Sequence, residues 1–478
     1  MIDRSLFKVT SSLGTVHLFS LAIPMLLESI LNNLLGTVST LVLSGYSEDA
    51  VAAVGAANSM LGTYGGFFSV IAFGATVVIS NLIGAEKLEK AKEGCFVTIL
   101  LCTCIGFLSS MALFLCRYPL MKFMNIEGQV LEDAVRYFSV RMIFFLFPAV
   151  SSSLSSILRC YGHATSTVIG GIATNIVNIL LSVFVVYCPE YSPVTGVAGV
   201  AVACVTSQLV GLFIFAGLFR GFRMGLKRPE SAREFWRMTG KILRIGIPTG
   251  LSNSSFAISQ TVNTSFIALM GTYAINAKIY YSSIFTYVYL FSASVGSANS
   301  LLVGRLYGAG KMEQADRANR QLVKITVLVN LAMSLLVFSL RIPLLSLFTD
   351  DAAILGLSFA IMLIDIVTEQ ARAVSQVYEY ALRATGDVLF TVVILIVSCW
   401  CLSIGLAYYL SIECGLGLVG CWIGLALDER VCGQLRHSSG GGTNGISYVR
   451  QYKEKRMVHP GKNGWTIHLY KKGITVSG

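Results

Sequence analysis

The sequence predicts an all-α integral membrane protein, with about twelve transmembrane helices in two six-helix bundles related by pseudo-two-fold symmetry. Composition is the first observation behind this prediction. Apolar residues make up 54% of the 478 residues, charged residues 13%, and the mean hydropathy is +0.70. A soluble domain carries about 25% charged residues. The other two observations are a series of long apolar runs and an internal repeat whose two copies keep one constant offset in the numbering.

The apolar runs define the predicted helices. Backbone polar groups in lipid must bond within their own segment, so runs of about 20 apolar residues are helical. The predicted spans are 17–44, 51–83, 94–116, 133–158, 165–188, 196–219, 241–270, 274–303, 321–341, 353–381, 388–411 and 415–429. The first run is too long for a signal peptide and lacks a small-residue cleavage site, so we expect no cleaved leader.

The internal repeat divides these spans into two sets of six. In the loop after span two, Gly84 and Lys87 return in the second half as Gly308 and Lys311. The same offset links Ile23-Pro24 to Ile247-Pro248, Pro119-Leu120 to Pro343-Leu344, and Leu158-Arg159 to Leu382-Arg383. A period this long indicates two copies of one domain rather than a solenoid. Because each copy holds six spans, the copies share one orientation, which is typical of transporters with a site between the halves.

Loop charge predicts the orientation. The loops after the even-numbered spans are rich in Lys and Arg, whereas the opposite loops are acidic or nearly uncharged. Even-numbered loops and both termini should therefore face the cytoplasm, in a protein of the plasma membrane. The predicted organisation is an N-terminal bundle over 1–219, a basic linker over 220–240, a C-terminal bundle over 241–429 and an atypical polar tail over 430–478.

Composition and spacing argue against several other functions. The net charge of +11 arises mostly in residues 430–478, so the body of the chain shows no nucleic-acid surface. The twelve cysteines lack metal-ligand spacing and fall mostly within apolar runs, where they are small core residues. There is no phosphate-binding glycine loop and no nucleophile elbow. We therefore expect no enzyme activity, no metal and no organic cofactor.

Polar residues inside the spans are the candidate cleft residues, because charged groups in a bilayer are costly. Glu28 lies about 16 Å into span one at 1.5 Å per residue. Two polar helix faces at repeat-related positions predict a shared aqueous cleft, and the alternative is hydrogen bonding between packed helices. The candidates are Glu28, Asn32 and Ser39 in span one, Asn175 and Asn178 in span five, and Ser252, Ser255, Ser259 and Asn263 in span seven.

Span ten is the most charged predicted span. Glu369 and Arg372 are three residues apart and can pair on one helix face. The repeat places Asp365 opposite Arg141 of span four. Two interpretations stay open: a charge-compensated network that holds the C-terminal bundle together, or a switch that relays an ion or proton. Lys278 with Arg372 raises a further possibility, an anionic or zwitterionic substrate.

These repeated motifs resemble the multidrug and toxin extrusion (MATE) family over about residues 13–429. The order and spacing of several segments carry the resemblance: Ala22-Ile23-Pro24, Ala50-Val51-Ala52-Ala53-Val54-Gly55, Gly84-Ala85, Ile157-Leu158-Arg159, Ile245-Gly246-Ile247-Pro248, Val303-Gly304-Arg305 and Ala381-Leu382-Arg383-Ala384. The resemblance implies a V-shaped pair of bundles that exports small amphipathic organic compounds by alternating access, in exchange for Na⁺ or H⁺. We expect a monomer in the bilayer. The alternative is a lipid-linked oligosaccharide or lipid flippase of the same superfamily.

The chain departs from this family in its acidic residues and at its end. Ser39, Ser255-Phe256 and Arg372 stand where the family's coupling acids are expected, so coupling would have to use Glu28, Glu369 or Asp365. Beyond Glu429, a polar and Gly-rich sequence begins where span twelve should still be in lipid. We expect a truncated span twelve, with a shifted reading frame or a foreign tail as the hypothesis.

Overall fold

The computed structural model describes residues 4–11, 14–44, 47–122, 124, 126–191, 194–440, 466–469 and 474–477. A 3₁₀ turn at Arg4–Phe7 leads into an antiparallel hairpin of β1 (Lys8–Ser11) and β2 (Gly14–His17). Residues 441–465 of the predicted tail lie outside the described residues. A second short hairpin, β3 (Thr466–Leu469) and β4 (Ile474–Ser477), follows them.

The N-bundle comprises the helices between residues 18 and 221. They are α1 (Leu18–Ser44), α2 (Glu48–Gly84), α3 (Leu88–Leu115), α4 (Arg117–Lys122), α5 (Gly128–Ile143), α6 (Leu146–Cys160), α7 (Ala164–Tyr187) and α8 (Gly196–Gly221). Pro189–Tyr191 forms a 3₁₀ turn. The predicted span 133–158 is two helices, α5 and α6, bent by 52° at residues 144–145.

The C-bundle comprises the helices between residues 232 and 440. They are α9 (Ala232–Leu269), α10 (Thr272–Gly308), α11 (Met312–Ser339), α12 (Arg341–Leu345), α13 (Ala352–Ala384), α14 (Val388–Ser398) and α15 (Gly417–Gly440). The chain continues beyond α14 in π-helical geometry over Cys399–Leu406 and Tyr409–Glu413. Pro24 and Pro248 lie inside α1 and α9 at repeat-related positions.

Twelve helical segments in the described part of the chain are long enough to span a membrane. Six of them are also strongly apolar, namely α3, α7, α8, α11, α13 and Val388–Glu413, and the bent pair α5 and α6 forms a seventh span. The remaining five are α1, α2, α9, α10 and α15, each 24–38 residues long. The predicted all-α membrane fold in two six-helix bundles is thus confirmed.

Two helix boundaries differ from the predicted ones. The connecting segment is 222–231 rather than 220–240, because α9 begins at Ala232. Ser231 accepts a hydrogen bond from the Glu234 backbone N–H at 3.2 Å, a helix cap that the Ser-x-x-Glu pattern indicates. Span twelve is not truncated at Glu429, because α15 continues to Gly440. Its polar residue Arg436 is 2% exposed and packs against the C-bundle instead of facing lipid.

The two ends of the molecule differ in how the bundles meet. We call the end with loops 85–87, 161–163, 222–231, 309–311 and 385–387 the basic end, and the opposite one the acidic end. At the basic end, one continuous core of buried apolar residues includes side chains from both bundles. At the acidic end the described side chains form two separate cores, one built from residues 50–201 and the other from residues 267–422. In the described part of the chain, the bundles therefore share a core at the basic end and have separate cores at the acidic end.

Candidate functional site

The joint at the basic end is built from symmetric contacts between the bundles. Helices α6 and α13 are both followed by a glycine in the left-handed region, Gly162 (φ 97°) and Gly386 (φ 87°). The last carbonyls of a helix lack partners within it. The Cys160 carbonyl accepts a hydrogen bond from Arg305, and the Ala384 carbonyl accepts one from Asn81 Nδ2 at 3.4 Å.

Both of these hydrogen bonds cross from one bundle to the other, and the repeat relates them. Arg305 is the repeat equivalent of Asn81, and Ala384 is the repeat equivalent of Cys160. Arg305 is 2% exposed, so the contact lies inside the joint. We call this pair of hydrogen bonds the basic-end latch. Sequence reasoning used the neighbouring glycines as repeat markers, but it did not identify Asn81 or Arg305 as functional.

The same joint explains the repeated glycines. A Cβ atom at Gly84 would lie 2.0 Å from the Arg305 backbone oxygen, and one at Gly308 would lie 2.0 Å from the Asn81 backbone oxygen. A Cβ closer than 3.0 Å to backbone cannot be accommodated without a shift. Glycine is therefore required at both positions, because the ends of α2 and α10 touch there backbone to backbone.

The N-terminal hairpin bridges the two bundles at this end. Phe7 and Val9 are 2% and 3% exposed and belong to the shared core. The Gln314 side chain of α11 donates to the Lys8 carbonyl at 3.4 Å. On the other side, a Cβ at Gly162 would lie 3.0 Å from the Val16 side chain. The hairpin thus contacts the C-bundle through β1 and the α6–α7 loop of the N-bundle through β2.

Glu28, the predicted cleft carboxylate, is paired within the N-bundle. Arg159 Nη2 donates to Glu28 Oε1 at 2.8 Å and to Ser155 Oγ at 3.1 Å. The C-bundle repeats this arrangement, but its carboxylate occupies a different position. Arg383 donates to Ser252 Oγ at 3.0 Å and pairs with Glu379, which occupies the position of Ser155. Each bundle therefore holds one arginine and one carboxylate at this site, and Glu28 is not a free anion.

The predicted asparagines of the N-bundle form helix–helix hydrogen bonds. Asn175 donates to Asn32 Oδ1 at 2.8 Å and joins α7 to α1. Asn178 donates to the Cys204 sulfur at 3.4 Å, which joins α7 to α8. The backbone at Ser39 is in α1, but the Ser39 side chain lies outside the described residues. Asn32 is exposed, so this end of the polar face is accessible.

Arg141 lies beside this group of residues. Its guanidinium stands 6.0 Å from the centre of the Tyr137 ring, and the Tyr137 hydroxyl donates to Asn58 Oδ1 at 3.2 Å. No carboxylate lies within salt-bridge distance of Arg141 in the described part of the chain. The repeat-related acid, Asp365, hydrogen bonds elsewhere.

The predicted polar face of span seven is a packed helix interface in this structure. Ser252, Ser259 and Asn263 are at most 1% exposed. Cys399 donates to Ser259 Oγ at 2.8 Å, and Asn263 donates to the Ser403 carbonyl at 2.9 Å. Ser255 accepts a hydrogen bond from Trp400 at 3.0 Å. In this structure Ser255, Ser259 and Asn263 therefore bond to residues 399–403 and Ser252 bonds to Arg383, and the expectation that this face lines a cleft stays a prediction.

The charged residues of span ten form a network with α15. Arg372 pairs with Glu369, as the three-residue spacing predicts, and with Glu429 at 3.0 Å. Arg436 pairs with Glu379 at 2.7 Å and donates to Ser375. Sequence reasoning missed Arg436 because it assigned residues after 429 to a tail. Arg436 is identified by its position on α15, which packs against α13.

Two further carboxylates of this interface have only uncharged partners. Trp422 Nε1 donates to Asp365 Oδ2 at 2.8 Å. Ser398 donates to Asp428 Oδ1 at 2.5 Å, and Cys432 lies 3.7 Å from the same oxygen. Asp365 and Asp428 are 8% and 6% exposed. Asp428 was not among the predicted site residues.

Lys278 lies near the acidic end of α10. Its ammonium donates to Thr264 Oγ1 at 2.6 Å and to the Gln260 carbonyl at 3.5 Å. It joins α10 to α9 and has no carboxylate partner among the described residues. Among these residues no group of three or more His, Cys, Asp or Glu is arranged to hold a metal ion. Lys278 bonds to α9, whereas Arg372 is bound by two glutamates of α13 and α15, so the two cations have different partners.

Comparison with known proteins identifies the family. A transporter of Bacillus subtilis, YisQ, is 31% identical over 427 residues, which is 88% of this chain and 93% of that protein. A probable multidrug resistance protein of Thermotoga maritima, NorM, is 27% identical over 417 residues, 86% of this chain and 89% of that protein. A solved MOP superfamily transporter from Pyrococcus furiosus shares the fold, with a TM-score of 0.81 at 21% identity, over 91% of this chain and 96% of that one.

The family model matches each half of the chain separately. MatE covers residues 24–184 and again residues 248–409, so the two matches begin at the repeat-related prolines Pro24 and Pro248. The two matches therefore follow the same repeat that relates the two hydrogen bonds of the basic-end latch. The family and relatives of this kind are transporters rather than enzymes. The chain is therefore a multi-pass membrane transporter that belongs to the MatE family of multidrug efflux proteins.

Proposed function

We propose that the protein exports small, amphipathic organic compounds across the plasma membrane by alternating access, in exchange for Na⁺ or H⁺. The observation that carries this proposal is the unequal joining of the two bundles. A shared core closes the basic end, while the acidic ends have separate cores. With the basic loops and both termini in the cytoplasm, this is a state open to the outside.

The joint has features expected of an interface that opens and closes. The two hydrogen bonds of the latch are symmetric and are made to helix ends that water could satisfy after opening. Each bundle keeps a core of its own at the acidic end. Rigid bundles that rock about such an interface are the usual basis of alternating access in repeat-built transporters. We expect one chain to complete the cycle as a monomer.

The substrate class follows from the relatives. NorM of Thermotoga maritima is named a probable multidrug resistance protein. The flippase alternative is not favoured, because the relatives match over most of their length and carry multidrug names. An outward-open cleft between bundles with apolar cores suits compounds that combine apolar area with a polar group.

Efflux from cells tests this function. The protein is expressed in a host without its own multidrug pumps, the cells are loaded with a fluorescent organic cation, and Na⁺ or pH jumps are applied. We expect efflux above the empty-vector control that accelerates with one of the two gradients. Efflux equal to the control under both gradients, with the protein present in the membrane, would rule out ion-coupled export of such compounds.

A further inference from the structure

We propose that Asp365 and Asp428 are a proton-binding pair of this transporter, and that the coupling ion they carry is H⁺. This inference rests on the proposed function and identifies its coupling site. Buried acidic groups outnumber buried basic groups around α13 and α15. Five carboxyl groups and three guanidinium groups lie there, and the members are Asp365, Glu369, Glu379, Asp428, Glu429, Arg372, Arg383 and Arg436.

The salt bridges divide these groups into a neutral set and a remainder. Arg372 binds Glu369 and Glu429, while Glu379 binds Arg383 and Arg436. Three arginines therefore balance three glutamates. The two aspartates remain, and no arginine lies within salt-bridge distance of either among the described residues.

Buried carboxylates without a cation are costly. Removing an unpaired carboxylate from water costs several kcal/mol, so such a group takes up a proton instead. With both aspartates protonated the interface is neutral, and with both ionised it carries two negative charges. Glu369, which Arg372 neutralises, is 0% exposed, and its Oε2 has no hydrogen-bond partner in the described chain. Glu369 stands one helical turn from Asp365.

The partners of the aspartates suit a proton better than Na⁺. Hard cations are bound by several oxygen ligands. The group aimed at Asp365 is an N–H donor of Trp422, which cannot ligate a cation. Charged groups near Asp365 are Glu369 and Arg372 on its own helix. Asp428 faces the Ser398 hydroxyl, with Glu429 and Arg436 near it on its own helix.

The repeat supports a special role for these positions. The N-bundle has Arg141 at the position of Asp365, and Cys204 at the position of Asp428. At these two positions, carboxylates are thus present in the C-bundle only. The coupling step changes only O–H bonds: each carboxylate takes up a proton from the outside and releases it on the cytoplasmic side after the bundles rock. Glu28 is not needed for this, because Arg159 already neutralises it.

Two measurements on the purified full-length protein test this inference. Asp365→Asn and Asp428→Asn keep an oxygen that accepts from Trp422 and Ser398, but they cannot carry a proton. Asp350→Asn, the same change on an exposed loop, is the control. The infrared band of protonated carboxyl groups is recorded at neutral pH, and substrate transport into proteoliposomes is measured with a pH gradient, with a Na⁺ gradient, and as exchange without a gradient.

We expect each variant to remove part of the protonated-carboxyl band and to abolish pH-driven accumulation, while exchange without a gradient remains at the wild-type level. The control should change none of these. An unchanged infrared band in both variants would overturn the proton-binding sites. Accumulation driven by Na⁺ alone would overturn H⁺ as the coupling ion. A wild-type protein that shows the band but exchanges no substrate would contradict the proposed function and leave the proton sites supported.

Discussion

Alanine at Gly84 or Gly308 should open the basic end. In either variant the new Cβ lies 2.0 Å from backbone of the other bundle, and this distance must grow to at least 3.0 Å. Overpacking of a close interface costs about 1–3 kcal/mol. Both glycines end helices, where alanine is the better helix former, so each bundle alone is not weakened. The cost therefore falls only on the state in which the basic end is closed.

This cost should shift the equilibrium between the closed and the open basic end toward the open form by roughly 5- to 150-fold. Cys160 is a native reporter of this shift, because it is 1% exposed and its carbonyl binds Arg305 in the latch. Its rate of alkylation by a maleimide, read by peptide mass spectrometry, follows the open population. The repeat predicts effects of similar size in the two variants.

Gly221→Ala is the matched control, since Gly221 also ends a helix at the basic end but has no atom within 4 Å of an added Cβ. Alkylation of Cys432, which is buried in the C-bundle, reports unfolding. Faster labelling of Cys160 with unchanged labelling of Cys432 is the predicted result. Unchanged labelling of Cys160 in both variants, or equal acceleration at both cysteines, would show that these glycines do not hold the basic end closed.

Three further predictions concern the end of the chain, the N-bundle ion pair and the hairpin. A chain stopped after Glu429 should lose about 1.5–3 kcal/mol of stability, the scale of one hydrogen bond to a charged group, because Glu379 keeps Arg383 but loses Arg436. A chain stopped after Gly440 is the control, and equal melting temperatures of the two shortened chains would contradict the C-bundle role of α15. Glu28→Gln should lower the melting temperature, whereas substrate accumulation should still follow the pH gradient. Loss of this dependence on the pH gradient would show that Glu28 carries the ion. Val9→Asp should accelerate maleimide labelling at the basic end, because it places a charge in the shared core, and unchanged labelling would show that the hairpin does not hold the joint.

The repeat made much of the fold predictable from the sequence. Twelve apolar segments and a constant offset predict two bundles, and the matched positions of Gly84 and Gly308 pointed to one geometry shared by both copies. The long-range partners of these glycines could not be predicted, because one sequence does not show that the ends of α2 and α10 touch. The N-terminal hairpin was missed for a similar reason: its two four-residue strands are stabilised by burial of Phe7 and Val9 in a core that only the folded bundles create.

The candidate site was harder to predict, since a polar residue in a span can face a cleft or another helix. The face of span seven was expected to line a cleft, and in this structure its Ser259 and Asn263 bond to Cys399 and Ser403, which one sequence does not show to be neighbours. Glu369 and Arg372 pair as their spacing predicts. Asp428 and Arg436 were missed because hydropathy ended span twelve too early, and polarity there reflects a buried ionic interface.

Alternate opening of the two bundles at opposite ends can be followed through two distances measured in one experiment. Repeat-related labels at Tyr118 and Ile342 report the acidic end, and labels at Glu89 and Glu313 report the basic end; all four side chains are exposed. Each pair of labels is introduced at non-cysteine positions by a chemistry that leaves cysteines unmodified. The distance within each pair is measured in lipid, first without substrate and then with substrate under an ion gradient. We expect the acidic-end distance to shorten as the basic-end distance lengthens. Distances that stay constant, or that change in the same direction, would contradict it.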